Sequence, residues 1–255
     1  MATTASPPGT ARTVASVSPQ PRLPALSRLW FPAVALLLVL YVGLPWLAPV
    51  LMRLGWSEPA RAIYAFYSTQ CHQMAQRSFF LFGPKGMYST EELHLLAGVG
   101  ANPLALRTFI GSAELGWKVA WSDRMVSMYT SVFVFGLAAR LLRRRLAPLP
   151  IWAFVLLALP MALDGGTHLV SDLAGIGQGF RDQNAWLGAL TGSLLPRSFY
   201  AGDALGSFNS WMRLLTGTLF GLGVVWTAFP HLERALAPVE RVWPSVSPSP
   251  ASPLS

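Results

Sequence analysis

Three ionisable side chains near the middle of the chain follow one another at four-residue intervals: Asp164, His168 and Asp172. Residues four apart lie on the same face of an α-helix, so the three form one polar stripe if the helix continues through the glycines at 165–166. A carboxylate beside an imidazole can hold a divalent cation, relay protons or act as an acid–base pair. The stripe therefore predicts a polar site, with a divalent cation as one expected ligand.

Arginine side chains suggest a second kind of chemistry. Arg124 stands next to Asp123 at the start of an apolar run, and a guanidinium group there can bind an anionic lipid headgroup through paired hydrogen bonds. A purely structural alternative stays open for each residue. For Arg124 this alternative is an Arg–carboxylate pair at the membrane interface. Asp164 can pair with Arg124 or Arg213 and merely join helix ends.

A third group surrounds Cys71, the single cysteine of the chain. One cysteine excludes both an internal disulfide and a cysteine-rich metal cage within one chain. His72 adjoins it, but adjacent helical residues point about 100° apart, so the two are poor joint ligands unless the backbone is irregular. We expect Cys71 to be buried and inert, and Arg77 to anchor at a membrane interface with its charge paired inward.

The composition identifies the solvent in which these groups must be placed. Apolar residues make up 53% of the 255 residues and charged residues 12%, against roughly 25% charged residues in an ordinary soluble domain. The 19 basic residues exceed the 11 acidic ones, which in a soluble protein would raise nucleic acid as a partner. Here membrane topology explains the excess better, so we expect a lipid bilayer and no nucleic acid as partner.

Four apolar segments are candidates for crossing the bilayer. The clearest is Trp30–Met52, which has 23 residues and no charge and at about 1.5 Å per residue covers a hydrocarbon layer of about 30 Å. The sequence predicts an all-α polytopic membrane bundle over residues 29–243, with spans at about 30–52, 125–142, 150–170 and 213–230. Gly217 and Gly221 have the G-x-x-x-G spacing that allows close helix approach.

Two further segments are expected to have structure outside the spans. Trp56–Gly83 is predicted to be a partly apolar helix at the membrane interface, and a re-entrant segment at about 60–82 is the alternative. The loop around Glu91–Gly111 is expected to be partly ordered, with Ser89 or Thr90 capping a short helix.

The distribution of arginine predicts the orientation. Arg140, Arg143, Arg144 and Arg145 crowd the short link between the second and third spans, and such a cluster marks a cytoplasmic loop. Both tails then lie in the cytoplasm, with the remaining inner arginines Arg12, Arg22, Arg28, Arg234 and Arg241. The tails 1–28 and 244–255 are rich in Pro, Ser and Ala and are predicted to be disordered.

This orientation gathers polar residues at the non-cytoplasmic face of a cell-membrane protein. Ionisable groups near the apolar layer are costly unless paired or bound, so they are candidates for function. The gathered residues are Cys71, His72, Gln73, Arg77, Asp123, Arg124, Asp164, His168, Asp172, Arg181, Asp182, Asn184, Asp203, Asn209 and Arg213.

An ordered set of motifs resembles a prokaryotic membrane-protein family, the domain of unknown function numbered 2085. Its opening signature is similar to Cys71-His72-Gln73 followed by Arg77-Ser78-Phe79-Phe80 and Gly83. Its later motifs are Cys-x-Arg-Cys, Pro…Asp-Gly-x-x-Gln and Arg-x-x-Thr-Gly with a further Gly. The matching residues here are Ser122–Met125, Pro160 with Asp164–His168, and Arg213–Gly217 with Gly221. The resemblance covers roughly Ile63 to Pro230 and implies a multi-pass membrane protein.

The chain departs from this family pattern at two motifs. Ser122 and Met125 replace both cysteines of Cys-x-Arg-Cys, and His168 replaces a usual Gln. A thiolate-metal or dithiol redox role is therefore not expected here. The family implies no reaction or substrate.

Three functions stay open. The first is a site that binds a divalent cation or an anionic headgroup, in an enzyme or a binding protein. The second is a non-catalytic assembly or structural subunit whose charges pair helix ends. The third is a small ion or solute transporter, which is disfavoured because the first span has no polar residue deep in the membrane.

Overall fold

Four long helices dominate the computed structural model, which describes residues 24–142 and 145–236, with side chains from Leu29 onward. The helices are α1 (Pro24–Arg53), α2 (Ser57–Ser68), α3 (Thr90–Ala97), α4 (Pro103–Thr108), α5 (Asp123–Leu142), α6 (Ile151–Asp172), α7 (Phe180–Gln183), α8 (Ala185–Thr191), α9 (Arg197–Tyr200) and α10 (Phe208–Ala235). The strands are β1 (Ser78–Leu81), β2 (Gly111–Ser112) and β3 (Gly116–Ser122). A 3-10 turn, Ala75–Arg77, precedes β1.

The helices α1, α5, α6 and α10 are long and apolar enough to cross a membrane, with candidate spans of 25, 20, 22 and 28 residues. The predicted all-α fold with four spans is therefore confirmed. In α6 the buried residues are Asp164, His168 and Ser171, whereas leucines such as Leu163 and Leu169 are exposed. A hydrocarbon solvent favours this arrangement, in which polar side chains face the interior of the bundle and apolar side chains face outward.

The helix α10 is central, because both α5 and α6 pack on it, while α1 packs on α5 and brings Trp30 and Phe31 against Phe229 of α10. Glycine permits the close contact with α5. A Cβ atom at Gly217 would lie 2.2 Å from Ser127 Oγ, and one at Gly221 would lie 2.0 Å from Ser131 Oγ. The prediction that these two glycines allow close helix approach is confirmed.

The chain order brings four helix ends to one pole, which we call the polar end: the last turns of α1 and α6 and the first turns of α5 and α10. The segments 54–122 and 173–207 cover this pole. The opposite pole, which we call the link end, holds the connection between α5 and α6. The predictions on Arg12, Arg22, Arg28, Arg143, Arg144, Arg241 and the tail 244–255 lie outside the described residues or side chains. The predicted disordered tail 1–28 is described only from Pro24, and that part of it is the first turn of α1.

A small antiparallel sheet, ordered β1-β3-β2, forms part of the cover. It packs on α1 and α2 through an aromatic cluster in which the rings of Tyr67 and Trp121 lie 5.2 Å apart. The helix predicted over Trp56–Gly83 is thus correct only for Ser57–Ser68, and the rest is loop, turn and strand. The error has a physical reason: Phe79 and Phe80 favour a strand as readily as an apolar helix once β3 is available to pair.

The helix α2 has 12 residues and is about 18 Å long, too short for a fifth span. Its position at the membrane interface stays a prediction. In α3, the Ser89 side chain accepts a hydrogen bond from the Glu92 backbone and the Glu92 side chain accepts one from the Ser89 backbone. The predicted cap at Ser89 is confirmed.

The contact between α5 and α10 predicts that alanine at Gly221 destabilises the protein, whereas alanine at Gly43, which lies outside this contact, does not. Gly221→Ala should lower the free energy of unfolding by about 1–3 kcal/mol, since the added Cβ would also lie 2.7 Å from the backbone oxygen of Met128. Gly43 of α1 has open space around its Cβ position, so Gly43→Ala should be neutral or stabilising. Thermal denaturation in detergent micelles compares them, and equal melting temperatures for both variants would contradict the packing.

Candidate binding site at the polar end of the bundle

Four arginines and four aspartates pair at the polar end. Five of them form one continuous series of ion pairs, Asp172–Arg77–Asp203–Arg213–Asp123, which we call the five-residue chain. Arg77 donates to both oxygens of Asp172 at 2.8 Å and, through Nε, to Asp203 at 2.7 Å. Arg213 donates to Asp203 at 2.7 Å and to both oxygens of Asp123 at 2.8 and 2.9 Å.

The other three charges, Arg124–Asp164–Arg181, form what we call the three-residue chain. Each oxygen of Asp164 accepts one guanidinium hydrogen bond, from Arg124 at 2.7 Å and from Arg181 at 2.6 Å. Asp164 therefore pairs with Arg124, one of its two predicted partners, but not with Arg213. Arg124 thus forms an Arg–carboxylate pair, the structural alternative for this residue, whereas the carboxylate of the adjacent Asp123 faces Arg213 on α10.

Each chain carries a net charge, although the eight residues together are neutral. The five-residue chain has three carboxylates and two guanidinium groups, and so carries −1. The three-residue chain has two guanidinium groups and one carboxylate, and so carries +1. The pairing thus separates charge between two neighbouring series, while neutrality of the whole set limits the cost of burial.

Two buried asparagine side chains hold the loops around these partners in place. Asn184, whose backbone adopts a left-handed conformation with φ of 42°, donates to the carbonyl oxygens of Arg181 and Tyr200. Asn209 donates to the carbonyl oxygens of Arg181 and Gly202. The two buried amides therefore fix the loops that present Arg181 and Asp203. Asp182 does not join the ion pairs, since it accepts from the Gly179 backbone at the start of α7.

Asp203 lies outside the spans and is ionised. Although burial raises the pKa of its carboxyl group, the charges of Arg77 and Arg213 hold that pKa well below its ordinary value. Burial likewise lowers the pKa of Arg77, but Asp203 and Asp172 raise it further, so the guanidinium group stays charged.

His168 is held as a neutral imidazole with a defined tautomer. Its Nε2 lies 3.2 Å from Arg181 Nη2, and because a guanidinium nitrogen only donates, Nε2 accepts. The proton is then on Nδ1, which is buried and has no hydrogen-bond partner in the described part of the chain. A glutamine amide offers the same combination of one acceptor and one donor, which explains physically how His can stand where the family motif has Gln.

The predicted stripe does form, because α6 is continuous through Gly165 and Gly166 to Asp172. Its three ionisable residues do not converge on one point. Asp164 lies 3.9 Å from His168, but Asp172 turns to Arg77. Among the described residues, no three His, Cys, Asp or Glu side chains are grouped to hold a metal ion. The divalent cation stays a prediction without support from this geometry.

A cavity of about 460 Å³ opens between these ion pairs and the loop that follows α2. Of the residues that the structure describes, three arginines line it, Arg77, Arg124 and Arg213, and one carboxylate, Asp172. Its other polar walls are Gln70, Cys71, His72, Gln73, Ser122 and His168, and its apolar walls include Met74, Pro103, Met125, Leu169 and Ile176. The wall is therefore amphipathic and positively charged.

Cys71 and His72 lie in an irregular loop rather than on a helix. Cys71 is buried, as predicted, and its Sγ lies 3.5 Å from Ser122 Oγ and accepts from the Gln73 backbone at 3.4 Å. His72 is exposed. Ser122 and Met125, at the positions of the two family cysteines, both line the cavity beside Cys71, so this wall has one thiol and no second one.

Sequence reasoning missed Lys118. It is fully buried in β3, and its amine donates to the carbonyl oxygens of Gln73 and Arg107, each at 2.7 Å. Through Gln73, whose φ is 51°, this amine fixes the loop that forms one wall of the cavity. The only signal was a lysine between apolar residues of a strand.

The comparison with known proteins agrees with this architecture. Residues 106–227 match the model of a family described as "Predicted membrane protein (DUF2085)". The match includes Arg124, Asp164, His168 and Arg213, whereas the Cys71–Gly83 motif precedes it. The predicted family is confirmed, although the match is shorter than the Ile63–Pro230 range of the motifs.

One relative is an uncharacterized protein of Methanocaldococcus jannaschii. It is 29% identical over 141 residues, which cover 52% of this chain and 68% of the relative. No solved structure matches the chain.

The buried amine of Lys118 predicts a pH dependence of stability. Burial lowers its pKa from 10.5 to about 7, with Cys71 opposing this shift and Arg107 adding to it. Between these two values the unfolded chain binds more protons than the folded one. The free energy of unfolding should therefore rise with pH across this window, by at most about 1.4 kcal/mol per pH unit, and the destabilisation is complete below pH 7.

Lys118→Met should remove this rise, whatever its effect on absolute stability. Thermal denaturation in micelles from pH 7 to about pH 9 measures the slope. Lys85→Met removes an exposed lysine and is the control. Equal slopes for wild type and Lys118→Met would contradict the prediction.

Proposed function

We propose that this membrane protein binds the anionic headgroup of a lipid-like molecule in the polar-end cavity, on the non-cytoplasmic side of the membrane. The observation that carries the proposal is the state of Arg124. Among the described residues its guanidinium group donates one hydrogen bond, through Nη2 to Asp164, and Nε has no partner. A charged group with unused donors on a cavity wall is suited to binding an anion.

The surroundings of Arg124 support this role. A Cβ atom at Gly165 would lie 2.8 Å from Arg124 Nη1, so glycine gives the guanidinium group room against α6. Asp164 is shared with Arg181 and neutralises Arg124 only partly. The cavity also has apolar walls from Met125 and Leu169, two residues within candidate spans. A ligand that is anionic at one end and apolar at the other fits this wall.

A structural subunit is the second candidate function, favoured by the complete pairing of the four aspartates at the polar end. The two candidate functions differ in whether the unused donors of Arg124 bind an anion. If the ion pairs only join helices, the unused donors of Arg124 and the cavity beside them have no role, and an anion will not change the stability of the protein.

The proposed binding predicts a selective loss in Arg124→Gln. Titration calorimetry of the purified protein with dihexanoyl phosphatidylglycerol should give binding that weakens at least about tenfold in this variant, because the glutamine amide is neutral. At a concentration of about 100 times the Kd, the same lipid should stabilise wild type by about 2.7 kcal/mol.

Arg140→Gln is the matched control, since it removes an arginine from the link end, where Arg140 pairs with Glu233 at 3.2 Å. It should leave binding unchanged. No binding to wild type, or equal weakening in both variants, would exclude the headgroup site and favour the structural role.

The orientation rests on the arginines of the link end. Arg140, Arg145 and Arg234 lie there with the link between α5 and α6, and such loops face the cytoplasm. The polar end, with its cover of loops and sheet, is then on the non-cytoplasmic side.

Cysteine labelling tests this orientation in intact cells. In a Cys71→Ser background, an impermeant maleimide should label Lys85→Cys, whose lysine is exposed at the polar end. Arg145→Cys, also exposed, should react only after the membrane is permeabilised. The reverse pattern would place the cavity on the cytoplasmic side, and labelling of both from outside would contradict the four-span topology.

A further inference from the structure

Two charged side chains differ from the rest of the ion pairs because they are partly open. Arg124 exposes 22% and Asp172 exposes 21% of its side chain. The other six expose 14% or less: Arg77, Asp123, Asp164, Asp203, Arg181 and Arg213. Arg124 and Asp172 both line the cavity. A ligand in the cavity therefore meets one accessible cation and one accessible anion.

Asp172 has unused capacity to accept hydrogen bonds, as Arg124 has unused capacity to donate them. Arg77 gives one hydrogen bond to each oxygen of Asp172. An ionised carboxylate offers about four lone-pair sites, so about two stay available. Arg77 is engaged more fully than Arg124, because Nε, Nη1 and Nη2 each donate one hydrogen bond to a carboxylate, which uses three of its five N–H donors.

The two accessible groups also belong to different ion chains. Arg124 ends the three-residue chain, whose net charge is +1, and Asp172 ends the five-residue chain, whose net charge is −1. An anionic group at Arg124 and a cationic group at Asp172 would each offset one of these charges. Next to the apolar layer the local dielectric is low, so such compensation is worth more than in water.

The spacing allows one ligand to reach both groups. Gly165, against which Arg124 lies, and Asp172 are seven residues apart on α6, about 10 Å along the helix axis. His168 lies between them and lines the same cavity. Arg124 lies against α6 at one end of this interval and Asp172 lies at the other, and both line the cavity, so the span is one that a short zwitterion can bridge.

Resting on the proposed function, we infer that the ligand is a zwitterion whose phosphate or carboxylate binds Arg124 and whose protonated amine binds Asp172. A phosphoethanolamine lipid headgroup has this chemistry, and so does a free amine-bearing phosphate. The lipid and the soluble compound are separate arms of the test.

Titration of the purified full-length protein with three probes tests the inference. Dihexanoyl phosphatidylethanolamine carries the anion and the amine, dihexanoyl phosphatidylglycerol carries only the anion, and O-phosphoethanolamine carries both without acyl chains. Wild type should bind the ethanolamine lipid at least about tenfold more tightly than the glycerol lipid. Weaker binding of the soluble compound identifies a lipid ligand, and equal binding identifies a soluble one.

The variants separate this inference from the proposed function. Asp172→Asn should remove the preference for the ethanolamine lipid, so that the two lipids bind this variant with similar affinity. Arg124→Gln should weaken both lipids. If wild type binds both lipids equally, or Asp172→Asn weakens both alike, the zwitterion is excluded while the anionic site stands. If neither lipid binds wild type, the anionic site itself is excluded.

Asp172→Asn also weakens an ion pair with Arg77, so its fold must be checked by its melting temperature. Asp172→Glu keeps the charge and should keep the preference, which separates loss of charge from loss of structure. The comparison of the two lipids on wild type needs no variant. It decides the inference even if Asp172→Asn does not fold.

Discussion

The guanidinium group of Arg213 is the interaction on which the polar end depends. It extends from α10, binds Asp123 of α5 on one side and Asp203 of the loop before α10 on the other, and is almost completely buried. A bilayer protein tolerates such a charge only when it is paired, and removal of one partner from a buried pair costs about 3–5 kcal/mol. Because Asp203 also binds Arg77, and Arg77 binds Asp172, one series of ion pairs joins the helices α5, α6 and α10 to the loop before α10 and to the turn before β1.

How far the sequence predicts this structure depends on the range of each interaction. Hydropathy predicted the four spans and the i, i+4, i+8 stripe of α6, because both follow from the local period of a helix. The contact at Gly217 and Gly221 followed from their spacing. The partners of the aspartates did not: Asp123 and Arg124 are adjacent, yet their side chains point in different directions and each reaches another helix.

The burial of Lys118 and the small sheet could not be predicted from the sequence for a related reason. The strands are short, and the apolar residues around Phe79 and Trp121 suit a helix or a strand until their partners are known. A lysine within such a run reads as a surface residue. Only the tertiary structure brings the carbonyl oxygens of Gln73 and Arg107 to its amine, and thereby makes burial of that amine possible.

The net charge of zero for the whole network and the opposite net charges of its two chains have different effects. Eight charges that sum to zero can be buried beside a hydrocarbon layer at limited cost. If each arginine instead paired with one aspartate, no part of the network would carry a net charge for a ligand to offset. Asp164 shared by two arginines and Arg77 shared by two aspartates divide the set into a positive and a negative part. The least buried residue of each part, Arg124 and Asp172, lies on the cavity wall, so the same pairing that stabilises the bundle leaves opposite charges facing a ligand.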